Sequence, residues 1–166
     1  MVASTTTGAR AATAFPVPGP AGFSGVLRAA IGSHTFATGD DEDGDIFQVC
    51  KIPAGATVVG GYIQGKDLDT GVEALDIDIG WASNGTEAAD PDGFGNLGLL
   101  SGDAVLDSRP EVGLYYALGG VLFTTGPQKF TDTTTIQFEV NTAAGTLGGG
   151  KLTAVLYYVF DVNDTI

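Results

Sequence analysis

The sequence predicts an all-β protein: an antiparallel β-sandwich of jelly-roll type, with an Ig-like sandwich as second choice. Three observations lead there. Gly is the commonest residue, at 26 of 166, and Thr is plentiful, whereas runs of the Ala, Leu, Glu and Lys that favour helix are few. Several segments alternate apolar and polar residues with the two-residue period of a half-buried strand. Turn residues recur between them, so that roughly eight strands fit, the number of a jelly roll. Strand connectivity stays open at this level.

Residues 1–32 read as an extended arm and 33–166 as the sandwich domain. The arm is dominated by Thr, Ala, Gly and Pro, and Phe15-Pro-Val-Pro-Gly-Pro20 cannot be helical, because each proline holds its predecessor in extended geometry. Its apolar residues, Phe15, Val17, Phe23, Val26, Leu27 and Ile31, are costly to leave in water, so the arm is expected to lie on a surface.

Strand signals begin with Ser33–Thr38, followed by the acidic turn Gly39–Asp45. Ile46–Ile52 reads as a strand, Pro53-Ala-Gly55 as a turn, and Thr57–Gln64 as a strand whose paired glycines predict a bulge or a close backbone approach. Leu75-Asp-Ile-Asp-Ile79 alternates most clearly, with Asp76 and Asp78 assigned to the solvent face. Trp81 follows, then the tight-turn dipeptide Asn84-Gly85. Residues 86–120 are the least regular, with a short helix expected near Gly95–Leu100 and a strand near Leu114–Leu118. Thr133–Val140 alternates again. The last strand, Lys151–Asp161, is apolar on both faces and is therefore expected to be covered on both.

Charge narrows the function. Seven basic and twenty acidic side chains give −13 at pH 7. Polyanion binding needs Lys and Arg to displace counterions, so a nucleic-acid partner is disfavoured, as is an anionic membrane surface. Such a charge also keeps copies apart until they dock on a specific surface. No secretory signal or apolar stretch of membrane-spanning length is visible, and a chain made in a cytoplasm and staying soluble is expected.

The motifs that invite chemistry do not assemble into a site. His34 is the sole histidine and has no spaced nucleophile and orienting group around it. Cys50 is the sole cysteine, so it has no intramolecular disulfide partner, and its strand position predicts a buried, inert thiol. The acidic turn offers Asp40, Asp41, Asp43 and Asp45 as weak candidates for a cation. Aligned on Gly44, however, an EF-hand frame puts Gly39 at its first ligand position and Cys50 at its twelfth, so that motif fails. Gly145–Lys151 imitates a P-loop, but Leu152 replaces the magnesium-binding hydroxyl and a strand follows where a helix is required. Asp76 and Asp78 have a glycosidase-like spacing by distance alone, about 7 Å along a strand. Asn84-Gly-Thr86 and Asn163-Asp-Thr165 match the glycosylation sequon without a secretory context. No enzyme activity and no cofactor are expected.

From Phe47 to Trp81 the order of features resembles small head-associated proteins of tailed phages: a strand, Lys51–Ala56, a strand, Asp67-Leu-Asp-Thr-Gly71, then Leu75–Trp81. Ala89–Phe94 resembles their Asp-rich loop with a buried Phe, and Thr133–Val140, Ala143–Thr146 and the strand ending at Asp161 complete a pattern over about residues 45–161. The resemblance implies a capsid decoration (cement, head-stabilising) protein. Its partners would be the major capsid protein and itself, as a homotrimer. It would sit on the outer capsid surface and bridge neighbouring capsomers, with Phe15, Val17, Phe23, Leu27, Ile31, Tyr157 and Val159 expected at the contacts. Two other readings stay open. One is a tail, neck or fibre-associated component. The other is a carbohydrate- or cell-binding sandwich, which needs Trp81, Tyr115 and Tyr116 exposed in one loop cluster.

Overall fold

The computed structural model describes residues 26–66, 68–70, 74–99 and 114–160. Nine strands run through them: β1 Arg28–Phe36, β2 Ile46–Ile52, β3 Ala56–Gly65, β4 Asp76–Trp81, β5 Asp90–Leu99, β6 Leu114–Ala117, β7 Gln128–Lys129, β8 Thr134–Thr142 and β9 Gly150–Phe160. One short helix, α1 (Val121–Thr124), lies between β6 and β7.

A five-stranded sheet of order β1-β9-β3-β6, with β7 also paired to β3, faces a four-stranded sheet of order β2-β8-β4-β5. All pairings are antiparallel. The first four strands alternate between the sheets, and the late strands β8 and β9 slot between early ones, as the crossing connections of a jelly roll require. An Ig-like sandwich keeps its first two strands in one sheet. Here β1 and β2 lie in opposite sheets, so the jelly roll is the fold.

The core follows the alternation. Val58, Ile63, Leu152 and Leu156 point inward from one sheet. They meet Ile52, Ile77, Ile79, Ile136, Phe138 and Val140 from the other, all buried. Each such side chain contributes on the order of 1.5–3 kcal/mol by leaving water. Trp81, Phe94 and Phe130 meet edge to face, with ring centroids 5.0 to 6.2 Å apart, an arrangement the ring quadrupoles favour. Trp81 fits because Gly93 lies beneath its indole, where an added Cβ would stand 2.2 Å from the ring.

Two expectations are corrected. β1 starts at Arg28, five residues before the first strand expected at Ser33. Arg28 through Phe36 pairs continuously with Tyr158 through Gly150. The small residues Ala29, Ala30 and Gly32 carry little strand propensity of their own, and the long β9 holds them in register. The helix expected near Gly95–Leu100 is instead the second half of β5. Pairing with β4, from Asp76↔Leu99 to Trp81↔Asp90, decides the conformation of this glycine-rich stretch.

Candidate functional site

The outward faces of the two sheets differ in chemistry. On the five-stranded sheet, odd-numbered β9 residues point away from the core. Val155 is flanked by Ile31 and Tyr62, Tyr157 by Ala29 and Gly60, and Val159 by Thr57. Gln64 brings Tyr115 of β6 onto the same face. Tyr62 stacks on Tyr115 at 4.9 Å and meets Tyr157 at 6.1 Å. The Tyr157 hydroxyl is pushed above its ordinary value first by loss of water and then by Tyr62 and Tyr115 beside it. Ile31 is 65% exposed and Tyr115 64%, while Val155 between them is only 5% exposed. From Ala29 to Ser33 on β1, Thr57 to Gln64 on β3 and Thr153 to Val159 on β9, the outward positions carry no charge. In a chain of net charge −13, that is a distinct surface.

Of the residues expected at contacts, Ile31, Tyr157 and Val159 come together on this face, and Leu27 stands exposed just before β1. Phe15, Val17 and Phe23 lie outside the described residues. Tyr62 was not singled out from the sequence. Its signal was the two-faced apolar run of β9, which requires apolar neighbours on the outer side as well. The aromatics of the carbohydrate-binding reading do not converge. Trp81 is in the core, with Nε1 donating to the Ala88 carbonyl at 3.0 Å, and Tyr116 packs against the core.

The outward face of the four-stranded sheet is acidic. Asp78 lies opposite Glu139 of β8 and Asn96 of β5. It was expected on a solvent face, but it is 6% exposed. Burial raises its carboxyl above the ordinary value, and Asp76, Asp92 and Glu139 raise it further, against one hydrogen bond from Asn141 at 2.6 Å. Loss of water, then Asp92, likewise raises Asp90.

The acidic turn has structural partners. Asp43 accepts the Ala143 N–H at 2.8 Å and Asp41 the Ala144 N–H at 3.2 Å. Asp69, 1% exposed, accepts Gly145 N–H and Thr146 N–H, each at 2.9 Å, as well as Ala74 N–H and Leu75 N–H. Three carboxylates thus satisfy four successive amides of the β8–β9 connection. Asp45 accepts the Glu42 N–H. Asp40 accepts the Ala37 N–H and pairs with His34 Nε2 at 3.2 Å, which hold its carboxyl below the ordinary range despite some loss of water. Among the described residues, no group of three or more His, Cys, Asp or Glu is placed to hold a metal ion. His34 lies on the Phe47 ring at 4.0 Å. Cys50 is half-buried, and burial pushes its thiol up to about 11. The residues that imitate a P-loop form the β8–β9 connection and the start of β9.

Three solved structures share this fold. A chain of the "Cyanophage Pam1 capsid asymmetric unit" matches at TM-score 0.60 and 23% identity, covering 93% of this chain and 97% of that one. A chain from the "Capsid of Ralstonia phage GP4" matches at TM-score 0.60 and 20% identity, covering 87% and 89%. One from the "Acidic stable capsid structure of Helicobacter pylori bacteriophage KHP30" matches at 0.57 and 16%, covering 83% and 90%. No family model matches the chain, and no curated protein matches it in sequence. The likeness to chains of phage capsids is one of fold, and it runs over nearly the whole of each.

Proposed function

We propose that this chain is a structural virion protein of a tailed phage, binding the outer surface of the assembled capsid and stabilising it by bridging neighbouring capsomers. The observation that carries the reading is the uncharged face of Ile31, Tyr62, Tyr115, Val155, Tyr157 and Val159 on an otherwise acidic sandwich. Apolar, aromatic-rich patches of this kind are where protein partners dock. The fold shared with chains from three phage capsids supports the same partner class. A net charge of −13 favours the outside of a shell, away from packaged DNA. The partners are the major capsid protein and further copies of this chain, as a homotrimer, with residues 1–27 supplying reach over a neighbouring subunit.

The test is co-sedimentation with undecorated mature heads, comparing wild type with the double variant Ile31→Thr/Tyr115→Thr. Both positions are exposed, and Thr keeps strand propensity. Wild type is expected to saturate at several copies per hexamer of shell protein. Removing two apolar contacts, each contributing about 0.7–1.5 kcal/mol because a contact at an interface is only partly desolvated, should weaken binding roughly 10- to 150-fold, with the thermal midpoint lowered by no more than a few degrees through loss of the Tyr62–Tyr115 stacking. Equal binding by the variant would move the docking face elsewhere. Binding of only a handful of copies per particle would favour a tail or neck component instead.

A further inference from the structure

The centre of the acidic face carries an inference independent of capsid binding. Asp78 is nearly sealed from solvent at 6% exposure. One of its oxygens accepts from Asn141. The other, Oδ1, is buried without a hydrogen-bond partner, as is Oδ1 of Asp76. An ionised oxygen in that position lacks both water and a donor, which is among the more costly arrangements a fold can hold.

The surroundings offer no relief by charge. Asp76 stands on the same strand. Across β8 are Glu139, directly opposite, and the neutral Asn141. Across β5 are the neutral Asn96, directly opposite, and Asp92. Lys51, on the same sheet, is registered with Thr135 toward the far end of β8. Among the described residues, no cation is among the groups facing Asp78. Because the unpartnered oxygens are closed to solvent, neither a metal ion nor a partner's guanidinium reaches them without moving the sheet. A proton does.

We propose that Asp78 is a proton-holding site built into the four-stranded sheet, and that proton uptake there tightens the fold as the medium is acidified. The protonated carboxyl removes one of four clustered negative charges while its other oxygen keeps the Asn141 bond.

The sign follows from linkage. Burial, then the like charges, place the folded-state value above 3.8, the value appropriate to the unfolded chain. Folding therefore takes up a proton between the two values, and stability rises as pH falls through that window. It stops rising below the unfolded value. Within the window the folding equilibrium constant gains up to about ten-fold per pH unit.

Two measurements on the full chain test this. The side-chain carboxyl carbon of Asp78 is followed by NMR from pH 7 to pH 3, and urea unfolding of wild type and Asp78→Asn is compared over the same range. The expected midpoint lies above 3.8 and moves down in Glu139→Gln, which removes the facing charge. Asp78→Asn should equal or exceed wild-type stability at pH 7, with its advantage shrinking as pH falls. A midpoint at or below 3.8, or parallel pH profiles for the two proteins, would overturn the proposal. The carboxyl titration stands whether or not the variant folds.

Discussion

Replacing Asp69 by Asn removes one charge and changes almost no volume, so its effect isolates the carboxylate. Oδ2 accepts from Ala74 at 2.8 Å, Leu75 at 3.2 Å and Gly145 at 2.9 Å, while Oδ1 accepts from Thr146 at 2.9 Å. The best orientation of an Asn keeps its oxygen where Oδ2 was and turns its amide toward the Thr146 N–H. Two donors then face each other in a site that is 1% exposed. One charge-assisted bond, worth about 1.5–3 kcal/mol, is lost and a buried donor is stranded at about 1–3 kcal/mol. With partial relaxation the expected cost is about 3 kcal/mol, or roughly 6–12 °C in Tm for a chain of this size. Asp69→Ala strands all four amides and should cost more. Urea unfolding gives the stability, and hydrogen exchange at Ala74, Leu75, Gly145 and Thr146 gives the location. A loss below about 1 kcal/mol with unchanged protection at those amides would refute the view that this carboxylate ties the two connections together.

Two further outcomes follow from the packing. Gly32→Ala should destabilise by about 1–3 kcal/mol in thermal or urea unfolding, because its Cβ would stand 2.1 Å from the Val49 carbonyl where β1 meets β2; wild-type stability would mean that these strands are not in contact. Cys50, with its thiol pushed up by burial to about 11, should carry roughly one part thiolate in a thousand at pH 8. Alkylation in the native state should therefore be slow, and urea should accelerate it sharply; rapid native labelling at pH 8 would contradict that environment.

The acidic turn illustrates why only part of the site could be read in advance. Five carboxylates in six residues, Asp40–Asp45, look like a cation loop or a solvated face when only local order is available. Asp40 and Asp45 have local partners, but those of Asp41 and Asp43 are the amides of Ala144 and Ala143, a hundred or more positions away, and no local pattern encodes that meeting. Asp69 is similar: it stands in a turn-like Asp67–Gly71 stretch, and only the β8–β9 connection folding back on it makes it a buried acceptor. Asp76 and Asp78 alternate correctly with Leu75, Ile77 and Ile79, so their face was legible. The closure of that face around Asp78 was not, because it depends on pairing with the second half of β5, where a short helix was expected.

The sequence by itself determined the all-β class, most strand positions, the chemistry of each strand face and a charge that disfavours polyanion partners. Those properties arise from side-chain period and composition, which are local. Tertiary structure alone decided that β1 begins at Arg28 and that Gly95–Leu99 is strand. It also decided that Ile31, Tyr62, Tyr115 and Tyr157 share one uncharged face and that Asp78 is sealed among like charges. Each of those depends on which strand lies beside which, and strand pairing in a jelly roll is set by burial of the two sheets against each other across long stretches of chain.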